Sequence, residues 1–215
     1  ISALALTLSS HFERSSVRID IERHGRDGLP DAADVTRTVG WFTAIHPLTL
    51  DVDPAISLVQ RLASLKEQQR AVPGQGIGSG ILQYLSGDPI EEGGPWGGVL
   101  FNYRGQSQRS LGGDSWLEFE RPLVLARATT APRCYGWEVN ARIDDDMLVV
   151  DWGYSATRDS RESVARVAEM LVENLRSIIA TASDTDSQSG TASDFPLSGL
   201  NKDGLDKLSA LLGKE

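Results

Sequence analysis

Cysteine is almost missing from this chain of 215 residues, which contains only Cys134. A single thiol cannot form an internal disulfide, and it cannot supply a thiolate metal cluster. The three histidines, His11, His24 and His46, do not have the paired spacing of a histidine metal site, so no metal is predicted. Because disulfide-poor chains are typical of reducing compartments, the predicted localisation is cytoplasmic.

Basic residues and long apolar runs are also scarce. The chain has 21 Lys and Arg against 30 Asp and Glu, and its net charge is −9. Nucleic acids bind to basic faces, so this charge argues against a nucleic-acid partner and also disfavours an anionic membrane surface. No segment approaches the ~20 apolar residues of a membrane span. The N-terminal ISALALTL has no signal-peptide leader, and with no initiating methionine it suggests a helix tail in a piece of a longer protein.

Two strands are predicted in the first quarter of the chain. SVRIDIE (16–22) alternates apolar and polar side chains, which predicts a half-buried strand with one polar face. Asp20 and Glu22 fall on that polar face, and periodicity alone treats both as solvated charges. A second strand is predicted within GWFTAIHPLTLDV (40–52), where Pro47 favours a bulge or a sheet edge.

Two long amphipathic helices follow from helical spacing and start signals. One is predicted over residues 54–72, with Asp53 as the N-cap and a proline at the first helical position. The other is predicted over 164–179, preceded by Asp159 and Glu162 as a capping box. The remaining predicted elements are a short helix in IGSGILQYL, a strand in GVLFNY, and a hairpin of YGWEVNARI and MLVVDWGY joined at residues 144–146.

The mixture of strands and helices predicts an α/β or α+β class, and of these we predict α/β with a mixed sheet over residues 1–180. TASDTDSQSGTASD (181–194) is polar and of low complexity, which is typical of a flexible linker. The predicted tail, 195–215, contains a short amphipathic helix in NKDGLDKLSALLGKE.

No enzyme motif is complete on the residues alone. PGQGIGSG is neither a dinucleotide fingerprint nor a phosphate loop, and it follows a predicted helix instead of a strand. Glu22 could be an ordinary surface charge paired with Arg23 or Arg26, an interaction worth ~0–1 kcal/mol. The residues themselves indicate an α/β domain whose first strand ends in a charged cluster.

Five stretches of the chain, in the same order, resemble motifs of the epimerization domains of nonribosomal peptide synthetases, in the condensation-domain superfamily. They are ERHGRD (22–27, family E-G-H-G-R-E), RTVGWFTAIHP (37–47, family R-T-V-G-W-F-T-x-x-Y-P), PGQGIGSG (73–80, family P-x-x-G-x-G-Y-G), FNYRGQ (101–106, family F-N-Y-L-G-Q) and SDFPL (193–197). Among its departures from these motifs are Arg23 for Gly, Asp27 for Glu, His46 for Tyr and Ser79 for Tyr.

The resemblance implies a two-lobed fold similar to chloramphenicol acetyltransferase, with a tunnel between the lobes. The family's H-H-x-x-x-D-G motif is absent, so this chain resembles the C-terminal lobe only. The implied enzyme interconverts L and D configurations at the α-carbon of an aminoacyl or peptidyl thioester, without a cofactor of its own. The implied partners are the N-terminal lobe, a peptidyl carrier protein whose phosphopantetheine carries the substrate, and other synthetase modules.

The same resemblance assigns roles to four residues. Glu22 would be a catalytic acid-base group facing a histidine of the other lobe. Asn102 and Tyr103 would donate hydrogen bonds to the enolate, and Arg37 is a further candidate. Two alternatives stay open at this stage. One is a non-catalytic scaffold lobe that docks the carrier protein, which the bulky Arg23 favours. The other is a condensation domain that forms peptide bonds.

Overall fold

A mixed five-stranded sheet lies at the centre of the computed structural model, which describes residues 1–26, 34–86, 98–107, 132–183 and 194. The elements in chain order are α1 (Ser2–Phe12), β1 (Ser16–Arg23), β2 (Ala44–Asp51), α2 (Leu58–Arg70), a 3-10 turn (Pro73–Gly76), α3 (Ser79–Leu85), β3 (Val99–Ser107), β4 (Trp137–Asp144), β5 (Met147–Tyr154) and α4 (Arg161–Ser183). The strand order is β2-β1-β3-β4-β5. The β1–β3 and β3–β4 pairs are parallel, whereas the β1–β2 and β4–β5 pairs are antiparallel. The predicted α/β class with a mixed sheet is confirmed.

One face of the sheet packs against α1, α2 and α4 to form the core. The alternation in β1 buries Val17, Ile19 and Ile21, as its period-2 pattern predicts. Asn174 of α4 donates a hydrogen bond to the Thr7 hydroxyl of α1 over 3.0 Å, so the two helices are also tied by a polar contact. In the described ranges no helix combines the length and apolarity needed to cross a membrane.

Two local features of the sheet, the edge position of β2 and the turn between β4 and β5, agree with the sequence patterns. β2 lies at the edge of the sheet, which is the position in which a strand tolerates a proline such as Pro47. The β4–β5 hairpin turns at Asp145 and Asp146, which have φ values of 47° and 61°. Positive φ at both central residues is the geometry of a type I′ turn, whose twist matches that of the flanking strands.

The predicted starts of the long helices are wrong by a few residues. α2 begins after Ser57, whose hydroxyl and Gln60 form a reciprocal capping box, whereas Asp53 accepts a hydrogen bond from the Ala55 N–H in the preceding turn. Before α4, the Ser160 hydroxyl accepts from the backbone N–H three residues later, and this replaces the expected Asp159 cap. Competing local hydrogen bonds of short polar side chains decide both starts.

The predicted linker and tail lie largely outside the described residues. α4 ends at Ser183, three residues into the predicted linker. Asp194 is described, and its carboxylate lies 2.5 Å from Lys66 and 2.8 Å from Arg70, both on α2. Residues 184–193 and 195–215 are outside the described ranges, so the linker and the C-terminal helix stay predictions.

Asp20 is the main correction on the polar face of β1. The sequence pattern treats it as a solvated charge, but it is completely buried. The Tyr135 hydroxyl donates to its Oδ2 over 3.1 Å, and Arg18 Nε lies 3.4 Å from its Oδ1. Strand periodicity identifies a face but not what covers it, and here Tyr135 arrives from a segment more than 100 residues away.

Replacing Tyr135 by Phe is expected to destabilise the fold by about 1–3 kcal/mol, because a buried acceptor then loses a donor. The free energy of unfolding would be measured by chemical denaturation. Tyr154→Phe is the matched control, since Tyr154 is half-buried against the core without a described hydrogen bond, and it should change stability by less than about 0.5 kcal/mol. Equal losses in the two variants would contradict the role given to the Asp20–Tyr135 bond.

Candidate functional site

Motifs that are distant in sequence meet where β1 ends. Arg23 donates a hydrogen bond to the Gln75 side chain, which joins the first motif to the third. Gly25 packs directly on the backbone carbonyl of Phe42, which joins the first motif to the second. The β1–β3 register places Glu22 opposite Asn102, which joins the first motif to the fourth. The charged cluster at the end of β1 is therefore the meeting point of four motifs.

The departures from the family motifs occupy different environments. His46 is buried, and Gly76 approaches its ring so closely that a Cβ at that glycine would lie 2.1 Å from the imidazole Cγ. Burial lowers the pKa of His46, and the nearby charge of Arg23 lowers it further. Ser79 begins α3, and Asp27 lies outside the described residues.

A cleft of about 880 Å³ opens at the same end of the sheet. It lies between the ends of the parallel strands β1 and β3 and the helices α1 and α4. Its lining includes Leu171 and Leu175 of α4, Leu148 and Val150 of β5, and Ile21, Glu22, Arg23, Asn102, Tyr103 and Arg104 at the strand ends. The walls are thus mainly apolar, and the polar groups are concentrated at the strand ends, as in many small-molecule sites.

Glu22 is half-buried in this cleft, and its environment changes its acidity. Burial raises the pKa of Glu22 above the ordinary value of a glutamate, because a carboxylate loses hydration when it is covered. The Arg104 guanidinium opposes this rise in pKa, and the negative charge of Glu138 reinforces it. A raised pKa brings a carboxyl group closer to the range in which it can both take and return protons near neutral pH.

Three of the four predicted site residues, Glu22, Asn102 and Tyr103, line the cleft. Asn102 pairs with Glu22 in the β1–β3 register, and paired residues of adjacent strands project to the same face of a sheet. Tyr103 follows on β3, lines the cleft and is 54% exposed, and as the next residue of the strand it projects to the opposite face of the sheet from Asn102. Arg37 is exposed and is not among the residues that line the cleft. Its predicted role gains no support from this geometry and stays a prediction.

The cation that acts on Glu22 was not among the partners expected from the sequence. Arg26 donates to the Val35 carbonyl and stacks over the Phe42 ring at 4.3 Å, and Arg23 reaches Gln75. Arg104 is the cation that lowers the pKa of Glu22. It lies at a β-bulge of β3, where the pairing with β4 shifts register. Glycine at the next position was the available signal, because a glycine inside a strand often marks a bulge.

Comparison with known proteins decides the family. A family model described as "Condensation domain" matches residues 1–198. The chain belongs to the condensation domain family. One of the linear gramicidin synthase proteins of Brevibacillus parabrevis is 34% identical to this condensation domain over 213 residues, which cover 96% of this chain and 4% of that protein. Chondramide synthase of Chondromyces crocatus is 32% identical, over 100% of this chain and 6% of its own length.

The solved structures add the likeness to an epimerization domain. The epimerization domain from the third module of tyrocidine synthetase B is 27% identical with a TM-score of 0.73, covering 83% of this chain and 40% of that one. A structure of condensation domain-mediated chain release from the enacyloxin polyketide synthase is 15% identical with a TM-score of 0.57, and it supports the fold alone. The resemblance to epimerization domains within the condensation superfamily is confirmed. The chain spans 40% of the length of the solved epimerization domain and 4–6% of the length of the two synthases.

The acidity of Glu22 in this condensation domain chain can be tested from both sides. Glu138→Gln removes a negative charge, so it should lower the pKa of Glu22, whereas Arg104→Gln removes a positive charge and should raise it. The measurement is a carboxyl carbon titration by NMR on glutamate-labelled chain, with the Glu22 signal assigned by its loss in Glu22→Gln. Shifts in the same direction in both variants would contradict the electrostatic account, since loosening of the cleft would act alike in both.

Proposed function

We propose that this chain is the C-terminal lobe of an epimerization domain, which interconverts L and D configurations at the α-carbon of an aminoacyl or peptidyl thioester on a carrier protein. One observation carries the proposal. Glu22, with a raised pKa, lies in an apolar cleft directly beside Asn102, where the ends of two parallel strands meet. A carboxylate, an amide donor and a phenol at one strand end provide the groups that proton transfer next to a carbonyl requires.

The reaction breaks the α-carbon–hydrogen bond and moves the proton to the Glu22 carboxylate. The electron pair left on the α-carbon delocalises onto the thioester carbonyl oxygen, which becomes an enolate oxygen. The Asn102 amide, which shares the Glu22 face of the sheet, would donate a hydrogen bond to this oxygen, and its effect is largest when charge develops there. The Tyr103 hydroxyl is the second proposed donor, from the other face of β3. A proton returned to the opposite face of the same carbon completes the inversion, and the electron pair moves back from oxygen to carbon.

The second proton-transfer group is proposed to lie on a companion lobe outside this chain. Apolar side chains next to the cleft support a covering partner: Val39 is 100% exposed and Trp41 is 91% exposed, in the segment that leads to the cleft residue Thr43. The other proposed partners are a peptidyl carrier protein with its phosphopantetheine arm and further synthetase modules, in the cytoplasm. The chain alone should therefore bind substrate weakly and not epimerize it.

A non-catalytic scaffold lobe is the second candidate, and Arg23 is the observation that favours it. Its side chain lines the same cleft as Glu22 and donates a hydrogen bond to Gln75, which puts a bulky cation where the family motif has glycine. A condensation reaction is the third possibility, because the family includes domains of that name.

One experiment separates these readings. The full-length protein would be incubated in deuterated water with its carrier domain loaded with an amino acid, and the released amino acid analysed for α-deuterium and configuration. Epimerization predicts deuterium at the α-carbon together with D product. A scaffold lobe predicts neither above the carrier-only background. A condensation domain predicts a peptide bond to a second loaded carrier without deuterium, and either of these last two results would overturn the proposal.

A further inference from the structure

The charges that line the cleft have the opposite balance to the chain as a whole. The chain carries a net charge of −9, but the cleft is lined by two arginines, Arg23 and Arg104, and one carboxyl group, Glu22. The pKa of that carboxyl group is raised, so its negative charge is less persistent than that of an ordinary glutamate. The site therefore has an excess of positive charge in an otherwise acidic protein.

Arg104 is held at the open end of the cleft by local backbone geometry. The register of β3 against β4 shifts between Tyr103 and Gln106, so Arg104 and Gly105 form a bulge. Gly105 has a φ of 75°, and a Cβ placed on it would meet no atom within 4 Å. Bulges redirect side chains next to binding sites, and this one places an arginine in the lining of the cleft of about 880 Å³.

Arg104 also differs from three arginines in or next to the sheet. Arg142 on β4 lies against Asp151 and 3.8 Å from Asp144, and Arg133 lies 3.1 Å from Glu138. Arg18 lies 3.4 Å from Asp20. Within the described part of the chain, Arg104 makes no hydrogen bond or ion pair, and only its charge acts on Glu22. An arginine in a cleft is suited to a planar anion, because its guanidinium presents five donors in a rigid fork.

We propose that Arg104 binds an anionic group of the carrier-bound substrate, through the paired N–H groups of its guanidinium. This inference rests on the proposed function. Two sources offer that chemistry: the carboxylate of an acidic amino-acid side chain and the phosphate of the phosphopantetheine arm. The side chain is favoured, because Arg104 is two residues from Asn102 and its charge reaches the base, whereas the phosphate lies at the far end of the arm from the α-carbon. The substrate would then be an aspartyl or glutamyl thioester.

The test is a binding measurement on the full-length protein in a Glu22→Gln background, so that no proton transfer occurs. Four probes form a two-by-two design: stable amide analogues of pantetheine carrying glutamate or glutamine, each with and without the phosphate. Affinities would be compared by calorimetry before and after Arg104→Gln. Arg166→Gln is the charge-matched control, because Arg166 is 63% exposed on α4 and pairs with Glu162 outside the cleft.

The expected result is that Arg104→Gln weakens both glutamate probes about 10–100-fold, the usual effect of losing a charge-assisted hydrogen bond, and leaves both glutamine probes unchanged. Weakening of the two phosphorylated probes instead would assign the anion to the phosphopantetheine arm. The inference is overturned if all four affinities stay within about twofold, if the glutamine probe without phosphate weakens equally, or if Arg166→Gln gives the same losses. If Arg104→Gln weakens only the glutamate probes but the wild-type protein shows no deuterium exchange, the epimerase function is rejected and the anion site is retained.

Discussion

Replacing Glu22 by Gln in the full-length protein is expected to lower the rate of α-proton exchange by about 10²–10⁴-fold, the usual contribution of a positioned general base. The amide has nearly the same size and can keep the contact with its neighbours on β3, but it cannot take a proton. Exchange would be followed as deuterium incorporation at the α-carbon of the carrier-bound amino acid, and the affinity for the loaded carrier should remain close to that of the wild type.

The control for this variant has to be a glutamate that is outside the cleft. Asp20 is unsuitable although it lies on the same strand face, because it is buried and bonded to Tyr135. Glu169 is exposed on α4 and serves better, and Glu169→Gln should leave exchange unchanged. If Glu22→Gln exchanges the α-proton at nearly the wild-type rate, Glu22 is not the base, and a non-catalytic scaffold lobe is favoured.

Gly25→Ala is expected to destabilise the chain by more than about 2 kcal/mol and to disturb the cleft with it. Gly25 has a φ of 64°, where an L side chain is strained, and a Cβ at this position would lie 1.7 Å from the Phe42 carbonyl oxygen. Either the 24–26 turn or the segment 34–43 has to move, and both flank the end of β1. The free energy of unfolding of the chain would be measured by chemical denaturation.

Gly105→Ala separates the cost of the positive φ from the cost of the close contact with Phe42. Gly105 also has a positive φ, 75°, but the space around its Cβ position is open. This variant should therefore show only the backbone cost, about 1–2 kcal/mol. If Gly25→Ala were no more destabilising than Gly105→Ala, the close contact between the 24–26 turn and Phe42 would not be needed for the fold.

The elements that could be predicted are those with a strong period or a strong local turn. The alternation in β1, the apolar stripe of α4 and the aspartate-rich β4–β5 turn all fall where their patterns place them. Helix starts were less predictable, because Asp53 and Ser57 both offer capping side chains and local hydrogen bonding selects the second. The likeness of five motifs to epimerization domains identified the superfamily, since order and wording together are far more specific than periodicity.

The sequence by itself determined the class of the fold, the strand that carries Glu22 and the family of the chain, because these depend on neighbours within a few residues and on motif order. Only the tertiary structure decided that Asp20 is buried under Tyr135, that Arg37 stands outside the cleft, and that Arg104 acts on Glu22. Burial and charge depend on which distant strands become neighbours. The parallel pairing of β1 with β3 brings together residues about 80 positions apart, and no local pattern encodes that register.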